Sequence, residues 1–334
     1  MTEMRHVIRT ERERREAEWL SPAATLAANS KGRAIAEPLD DYRTAFERDR
    51  DRIQHSKAFR RLKHKTQVFI HPEGDHFVTR LTHTVQVTQI GRAIAVGLGL
   101  NESLTEAICL GHDVGHTPFG HIGEEALTPY GEGDWLHSAQ SVRVLSKLEP
   151  LNLSWEVLDG IRAHSWRIEQ PPATQEGFVC RFADRIAYLT YDVQDALRAG
   201  VLDRDEVPPT AFKVFGEDVG SGWIATMIHA VIDASVDSGH VTMDDRVLEA
   251  MHVLRDFMFE RVYLRPEAEA QKERAIFVIR QLVDYYLSHP SDIPDTYRIE
   301  GADTLTQSID YVAGMTDRYA LSEHDRIFRL KLFP

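Results

Sequence analysis

From residue 47 onward, apolar residues recur at spacings of three and four through almost the whole chain. This is the period of an amphipathic α-helix, whereas a half-buried strand alternates between apolar and polar residues. Asn101 is a predicted N-cap, and Gly97 and Gly99 are predicted to end the helix before it. The fold class is therefore all-α, with room for one short β-hairpin at 67–78. The spacing predicts helices over 47–64, 79–98, 102–112, 137–148, 154–164, 178–199, 222–237, 244–262, 267–288 and 303–320.

The residues before this pattern differ in character. Residues 1–20 carry charges of both signs and predict a charged helix or a loose arm, which Ser21 and Pro22 end. Residues 21–45 have no periodicity, which predicts an ordered but irregular segment. With 334 residues the chain can bury a substantial core, as one large helical domain or two small ones.

Composition excludes several classes of protein. The N-terminal residues lack the apolar core of a signal peptide, and no run approaches the ~20 apolar residues of a membrane span. We therefore expect a soluble, cytoplasmic protein without membrane contact. Cys109 and Cys180 lie in apolar helical segments without ligand spacing, which predicts buried, unpaired thiols in a reducing compartment.

One stretch is strongly basic in an otherwise acidic chain. The net charge of −13 disfavours broad nucleic-acid binding, yet eight Lys and Arg against two Asp lie between Arg48 and Lys65. Residues 57–65 could bind phosphates, a nucleotide at a subunit interface, or single-stranded nucleic acid. The alternative is a solvated helix with intrahelical ion pairs.

Histidine and aspartate residues that are candidate ligands for a divalent cation occur at three places in the sequence. His83 lies on one helix, the adjacent pair His112 and Asp113 ends a second, and Asp184 lies on a third. Imidazole and carboxylate groups bind divalent cations, and two imidazoles favour a transition metal such as manganese or iron over magnesium. Taken alone, a single histidine on a helix is more often a hydrogen-bonded structural residue, and a His-Asp pair is common by chance.

The helix predicted over 178–199 separates apolar from polar residues. Asp184, Tyr188 and Asp192 are spaced four apart on a face distinct from the buried stripe. This arrangement suits a metal ligand followed by contacts to a bound sugar, although a solvated helix face is an open alternative. The buried stripe comprises Val179, Phe182, Ala183, Ile186, Val193 and Ala196.

In their order along the chain, these residues resemble the HD superfamily of metal-dependent phosphohydrolases, and more closely its dGTPase-like branch, the deoxynucleoside triphosphate triphosphohydrolases. The blocks that carry the resemblance are FERDRDRIQHSKAFRRLKHKTQVF (46–69), RLTHTVQV (80–87), GHDVGHTPFGHIGE (111–124), ADRIAYLTYD (183–192) and YVAGMTDRYAL (311–321). The resemblance covers most of residues 20–325. It implies one HD-type domain over 1–334, with a core of about 60–200, an N-terminal arm at 1–45 and a C-terminal helical part at 201–334. The chain is short for the branch, so we expect lobes of longer members to be missing.

The resemblance also implies a reaction and its machinery. Such enzymes cleave a deoxynucleoside triphosphate, dGTP or another dNTP, into a deoxynucleoside and intact tripolyphosphate. One divalent cation per site (Mn, Mg, Fe or Co) is expected. The implied metal ligands are His83, His112, Asp113 and Asp184.

Other residues match catalytic positions of the branch. His121 and Glu124 are expected to activate water or relay a proton, and His116 and His137 to protonate the leaving group. Taken alone, Glu124 could instead be an acid that stabilises a helix N-terminus.

Substrate contacts are implied in the same way. Arg80, Arg185 and Arg255 are expected to neutralise the triphosphate. Gln67, Tyr188 and Asp192 match positions that meet the deoxyribose, where the tyrosine ring excludes a 2′-hydroxyl, and Tyr263 is expected to close the pocket. The branch further implies a homo-oligomer and raises the question of an activating nucleotide.

Two other functions stay open at this point. The chain could be another HD-domain nucleotidase or phosphodiesterase, which would release orthophosphate or open a cyclic nucleotide. It could also be a non-catalytic protein that senses nucleotides or binds nucleic acid. The complete set of implied ligands and the His121–Glu124 pair weigh against the second alternative.

Overall fold

A computed structural model describes residues 4–68 and 77–329, and its regular elements are helices, as the sequence predicts. Residues 69–76, the centre of the predicted hairpin, lie outside the described residues. At their edges, Thr66 and Thr79 form one isolated antiparallel bridge. The α-helices of the described chain are Arg9–Trp19 (α1), Ala45–His55 (α2), Lys57–Arg61 (α3), Arg80–Leu98 (α4), Glu102–Gly111 (α5), His121–Leu127 (α6), His137–Arg143 (α7), Trp155–Ala163 (α8), Gln175–Arg198 (α9), Pro209–Phe215 (α10), Ser221–Ser238 (α11), Asp245–Met258 (α12), Pro266–Ser288 (α13), Thr304–Ala313 (α14) and Asp317–Phe328 (α15).

The capping residues of α4 and α5 agree with the sequence prediction. Gly99 adopts a left-handed conformation (φ 62°) directly after α4, a backbone geometry that favours glycine. Asn101 caps α5, since its side-chain oxygen accepts a hydrogen bond from the Leu104 N–H at 3.2 Å. These caps join α4 to α5 through a short turn, so the helix that carries His83 packs beside the helix that ends at His112.

Two predicted helices are each divided in the structure, so the predictions of continuous helices over 47–64 and 303–320 are wrong. Ser56 has an extended backbone, and its hydroxyl accepts a hydrogen bond from the Phe59 N–H, which ends α2 and caps α3. Thr316 likewise caps α15 by accepting a hydrogen bond from the Tyr319 N–H. Serine and threonine at such positions compete with helix continuation because their hydroxyls replace a main-chain acceptor.

The sequence pattern also missed two short helices, α6 and α10, each only seven residues long. Fewer than three turns hold too few apolar residues to establish a helical period. For residues 1–20 the sequence predicted either a charged helix or a loose arm, and the structure has a helix there, α1. At the ends of α7 and α12, the chain continues as π-helical turns over Val144–Leu148 and Phe259–Tyr263.

The larger of two hydrophobic clusters forms around α4, α5 and α9. The predicted apolar stripe of α9 is buried, from Val179 to Ala196. Gly111 lets α5 approach α8, because a Cβ there would lie 2.4 Å from Ile161 Cδ1. This close approach fixes the end of α5, where His112 and Asp113 follow. The smaller cluster joins α6 to the C-terminal helices α13, α14 and α15.

Both cysteines, Cys109 and Cys180, are buried and free, as predicted. Within the described residues, no helix has both the length and the apolar character needed to cross a lipid bilayer. The same core that buries the two thiols therefore surrounds the polar residues of the site.

Candidate active site

Three of the predicted metal ligands meet where α4, α5 and α9 converge. His83 Nε2 lies 3.1 Å from Asp184 Oδ1, and His112 Nε2 lies 3.9 Å from the same oxygen. One donor atom from each of the three residues lies within 4.8 Å of the others. Both imidazoles are buried, whereas Asp184 is partly exposed, so this group of ligands reaches the surface through the carboxylate.

The donor chemistry at this point fits a divalent cation. His112 Nδ1 lies 2.6 Å from the Cys109 carbonyl oxygen, which can only accept, so Nδ1 carries the hydrogen and Nε2 carries a lone pair. That Nε2 is buried and has no hydrogen-bond partner among the described residues. A buried, unsatisfied nitrogen is costly, whereas an imidazole oriented by a carbonyl is the usual arrangement of a metal-bound histidine.

The carboxylate of Asp184 is held in its charged form. Burial alone would raise the pKa of Asp184, but the hydrogen bond from His83 and the neighbouring His112 hold this pKa well below its usual range. Burial in turn lowers the pKa of the His112 imidazole. A charged carboxylate beside a neutral imidazole is the protonation state that metal binding requires.

Asp113 lies beside this group but also forms an ion pair. Its Oδ2 accepts a hydrogen bond from Arg80 Nη1 at 2.6 Å, and its Oδ1 lies 3.6 Å from His112 Nε2. Burial would raise the pKa of Asp113, but Arg80 and the nearby histidines hold it well below the usual range. The structure therefore places Arg80 against the fourth predicted ligand, in a buried position.

The backbone after Asp113 is fixed by contacts with α7. A Cβ on Gly115 would lie 2.1 Å from the Ser141 nitrogen, so only glycine fits there. The Gly115 N–H donates to Ser141 Oγ, which donates in turn to the His112 carbonyl oxygen. Phe119, with a left-handed φ of 59°, donates its N–H to Asp317 Oδ1 of α15. Packing against α7 therefore requires glycine at position 115.

The predicted catalytic residues form a second group beside the first. His137 Nδ1 lies 2.5 Å from Glu124 Oε1, and His121 Nδ1 lies 3.1 Å from Glu124 Oε2. His116 stacks on His137 with ring centroids 4.2 Å apart and an interplanar angle of 12°. Glu124 and His137 are buried, whereas His121 is exposed. The predicted His121–Glu124 pair is in contact, and the same carboxylate also orients His137.

The charges of this second group follow from its contacts. Burial would raise the pKa of Glu124, but His137 and His121 hold it well below its usual range. Burial would lower the pKa of His137, but Glu124 outweighs burial and raises it. His116 lies farther from this carboxylate, with Nε2 3.9 Å from Glu124 Oε1, and burial together with Arg80 holds its pKa well below the usual range. His137 is therefore the favoured proton carrier of this stacked pair.

The sequence analysis missed His164, which is fully enclosed between the two groups. Its ring centroid lies 5.0 Å from that of His112 and 5.0 Å from that of His137. Burial and the two neighbouring histidines lower its pKa to about 3. A signal was present: like His112, it directly follows an apolar helix, and its Nδ1 faces the carbonyl oxygen three residues earlier, at Ile161.

The predicted sugar contacts line the same face of α9. Tyr263, from the π-turn after α12, donates its hydroxyl to Asp192 Oδ2 at 2.6 Å. Burial raises the pKa of Asp192 to about 7 and that of Tyr188 to about 12. Tyr188 and Asp192 are four residues apart in α9 and so share a face of this helix, as predicted. Tyr263 closes over Asp192. Gln67 has a buried side-chain oxygen without a partner among the described residues.

The other two predicted phosphate contacts differ in exposure. Arg185 is buried, with its guanidinium over the Trp166 ring at 4.2 Å and one nitrogen 3.3 Å from His252 Nε2. Arg255 is more exposed and pairs with Asp256 at 2.8 Å. Burial is the main cause that lowers the pKa of Arg185, which Arg255 lowers further.

The basic stretch is partly solvated, because Lys57, Arg60 and Lys63 are exposed whereas Lys65 is buried. Arg50 pairs with Glu106 of α5, and Arg52 pairs with Glu37, both at distances below 3.0 Å. Lys65 is buried and donates to the main-chain oxygens of His116 and, at 3.1 Å, Ala313. Burial holds the pKa of Lys65 well below its usual range. Lys65 therefore supports the main chain of the loop that carries His116.

Comparisons with known proteins agree with this geometry. The family model of the HD domain matches residues 80–189, and that of the phosphohydrolase-associated domain matches residues 241–326. HD domains bind divalent metals. A crystal structure of a phosphohydrolase from Bacteroides thetaiotaomicron superposes with a TM-score of 0.50 at 17% identity, covering 84% of this chain and 69% of that one. The match to the HD-domain model, together with this His/Asp site, assigns the chain to the class of HD-domain phosphohydrolases.

Curated relatives narrow the class. A deoxyguanosinetriphosphate triphosphohydrolase-like protein from Caldanaerobacter subterraneus subsp. tengcongensis is 48% identical, over 94% of this chain and 93% of that protein. One from Desulfatibacillum aliphaticivorans is 44% identical, over 96% and 98%. The chain belongs to the deoxyguanosinetriphosphate triphosphohydrolase-like family.

Proposed function

We propose that the protein hydrolyses deoxynucleoside triphosphates, in a metal-dependent reaction, to a deoxynucleoside and intact tripolyphosphate. The observation that carries this proposal is the buried, unpartnered Nε2 of His112, which faces His83 and Asp184 next to the Glu124–His137 pair. Ligands for a cation and groups for proton transfer therefore adjoin one another, as phosphate-ester hydrolysis requires. The family of the chain supports the substrate class.

Four residues are proposed to hold the metal: His83, His112, Asp113 and Asp184. A divalent cation bound there supplies a Lewis acid for a phosphate oxygen. Arg80 holds Asp113 by its Oδ2, which leaves Oδ1 directed towards His112. We propose manganese, magnesium, iron or cobalt as the cation, because the ligands mix imidazole with carboxylate.

Proton transfer is assigned to the second group. Exposed His121, oriented by Glu124, is proposed to take a proton from the attacking water. His137, whose pKa the same carboxylate raises, is proposed to donate a proton to the departing 5′-oxygen of the nucleoside, with the stacked His116 beside it. Glu124 therefore serves both, because its low pKa keeps it ionised throughout.

The substrate is proposed to lie along α9. Arg80, Arg185 and Arg255 offset the charge of the triphosphate, while Tyr188, Asp192, Gln67 and Tyr263 surround the deoxyribose. The Tyr188 ring is the proposed barrier to a 2′-hydroxyl. Because its pKa is about 7, Asp192 can accept or donate a hydrogen bond to a sugar hydroxyl near neutral pH.

The direct test is product analysis. The purified protein is incubated with each of the four dNTPs and manganese, and the products are separated by ion-exchange chromatography. We expect a deoxynucleoside and tripolyphosphate in equal amounts. Release of orthophosphate or pyrophosphate would instead indicate another HD-domain nucleotidase, opening of a cyclic nucleotide would indicate a phosphodiesterase, and DNA binding without turnover of any dNTP would indicate a non-catalytic protein.

Family membership also supports proposals about assembly and setting. We propose a cytoplasmic homo-oligomer, in which the exposed basic residues of 57–65 (Lys57, Arg60 and Lys63) are available to an activating nucleotide or to single-stranded nucleic acid. Light scattering with and without dNTPs tests this: a monomer under all conditions would contradict it.

A further inference from the structure

A turn between α8 and α9 places an arginine at the edge of the proposed site. The Ile168 N–H donates to the Ser165 carbonyl oxygen at 3.2 Å, so Arg167 is a central residue of a β-turn. Arg167 Nη1 lies 3.7 Å from Glu124 Oε2, the oxygen that also contacts His121 Nδ1. The guanidinium group therefore lies beside the residues that are proposed to transfer protons.

The turn is held against α9 by its main chain and by Trp166. Trp166 Nε1 donates to the Arg181 carbonyl oxygen at 3.1 Å, and Arg181 Nη2 donates to the Ile168 carbonyl oxygen at 3.2 Å. The guanidinium carbon of Arg185 lies 4.2 Å from the centroid of the Trp166 ring. Because Arg185 is a proposed triphosphate contact, the same turn adjoins both a phosphate contact and the proton-transfer residues.

The carboxylates near Arg167 leave it available to a ligand. Its Nη2 pairs with Asp134 Oδ2 at 2.5 Å, and the two side chains are 54% and 65% exposed. An ion pair as exposed as this contributes little to stability, because water solvates both charges. The contact with Glu124, at 3.7 Å, is longer than a hydrogen bond. A triphosphate carries more charge than a carboxylate and accepts two hydrogen bonds from one guanidinium group, so it can displace Asp134.

We infer that Arg167 is a further phosphate-binding residue, which exchanges Asp134 for oxygens of the phosphate that undergoes hydrolysis. The inference deepens the proposed function and rests on its class of substrate. The reacting phosphate is the one nearest to Glu124 and His121, because these residues are proposed to act on the attacking water. Asp134 is then a competitor for Arg167 and not a structural partner.

The charges around this point give the arginine its use. The low pKa of Glu124 keeps it ionised, so an approaching triphosphate meets a like charge there. A guanidinium group beside Glu124 offsets this repulsion, and it also stabilises the charge on the phosphoryl oxygens during hydrolysis. Arg80 is held in a buried pair with Asp113, whereas Arg167 is exposed and can turn towards the substrate.

Two substitutions that break the same ion pair should differ in their effects. Arg167→Gln removes the phosphate contact, and we expect kcat/KM for dNTPs to fall by at least about tenfold, the usual loss for a charged hydrogen bond. Asp134→Asn removes only the competitor, so kcat/KM should stay at the wild-type value or rise by up to about fivefold. Arg167→Lys keeps the charge but not the paired hydrogen bonds, and it should recover part of the loss.

The matched control is Arg298→Gln, which breaks a similarly exposed ion pair with Asp295 outside the proposed site and should leave kcat/KM unchanged. Equal losses in Arg167→Gln and Asp134→Asn would mean that their ion pair is structural, and would overturn the inference. A wild-type kcat/KM in Arg167→Gln would overturn it as well. Circular dichroism checks that each variant is folded.

Binding of inorganic tripolyphosphate separates this inference from the proposed function. Isothermal titration calorimetry measures its Kd for the whole protein at one fixed manganese concentration, without any turnover. We expect the Kd to rise at least about tenfold in Arg167→Gln and to stay the same or fall in Asp134→Asn. This result without dNTP turnover by the wild type would preserve the phosphate contact and refute the proposed function. No binding to the wild type, or an equal Kd for Arg167→Gln, overturns the inference even if every dNTP is hydrolysed.

Discussion

Asp184 and Asp192 lie on one face of the same helix, eight residues apart, yet their environments have opposite effects on their pKa. Histidines surround Asp184 and hold its pKa well below the usual range. Asp192 contacts Tyr263 instead, and burial raises its pKa to about 7. One end of α9, the proposed metal end, therefore has a charged carboxylate, and the other, the proposed sugar end, has a carboxyl group that can be neutral near pH 7. Helix geometry aligns the two residues, but the neighbours brought by other helices set their charge.

If the metal end carries catalysis, Asp184→Asn should have the largest effect. We expect kcat to fall by at least about 10³-fold, because the neutral amide is a poor ligand. Asp184 is partly exposed, so the fold should tolerate the change. Steady-state kinetics with dNTPs and measurement of bound manganese check this. Asp233→Asn, on α11 outside the site, is the control, and full activity in the Asp184 variant would refute the assignment of the metal end.

At the sugar end, Asp192→Asn should weaken substrate binding but stabilise the fold. Between about pH 4 and 7, the unfolded chain releases a proton that the folded Asp192 retains, so the wild type loses stability as the pH rises through this range. The amide cannot ionise and escapes this loss. At pH 8 we expect a free energy of unfolding higher by a few kcal/mol, with the gain vanishing near pH 4.

Urea titrations of the wild type and of Asp192→Asn across this pH range measure the difference in their free energies of unfolding. Kinetics should give a higher KM for dNTPs with a smaller change in kcat. A variant less stable than the wild type at pH 8 would mean that Asp192 is ionised and satisfied in the folded protein.

Tyr188→Ala probes selectivity at the sugar end. Removing the ring opens space beside the proposed 2′ position, so we expect the preference for dNTPs over ribonucleotides, in kcat/KM, to fall by about tenfold or more. Tyr188→Phe keeps the ring and should preserve this preference. An equal loss in both variants would assign the role to the hydroxyl group.

The smallest effect is expected from Arg255→Gln. Its exposed pair with Asp256 contributes at most about 1 kcal/mol to stability, so thermal unfolding should change little. The KM for dNTPs should rise a few-fold, and the rise should be larger at low salt. At high salt, ions already screen the exposed charge of Arg255, so its removal has less effect. Asp256→Asn is the control for the ion pair. An unchanged KM for Arg255→Gln at low salt would mean that Arg255 does not contribute to phosphate binding.

The sequence predicted most of the helices because a buried stripe at helical spacing is a local property, as along α9 from Val179 to Ala196. It missed the division at Ser56 because the residue that interrupts the helix is one hydroxyl among charged neighbours. The proximity of His83, His112 and Asp184 was predicted from a family resemblance, because the number of residues between them does not give their distance in space.

What the sequence did not predict depends on tertiary contacts. His164 directly follows an apolar helix, as His112 does, but its place beside the site becomes evident only where α8 packs against α5. The ion pair between Arg80 and Asp113, and the burial of Lys65, likewise depend on helices that meet in three dimensions.

The hydrogen bonds of Lys65 and Asp317 have a consequence for any attempt to shorten the protein. Lys65 donates to the main chain at His116 and at Ala313, while Asp317 accepts from Phe119 and from Thr66. Helices α14 and α15 are therefore connected, through Lys65 and Asp317, to the main chain of the loop that carries His116 and Phe119. Deleting them would remove one of the two acceptors of Lys65 and the acceptor of the Phe119 and Thr66 N–H groups, so we expect the catalytic loop to depend on this C-terminal part of the chain.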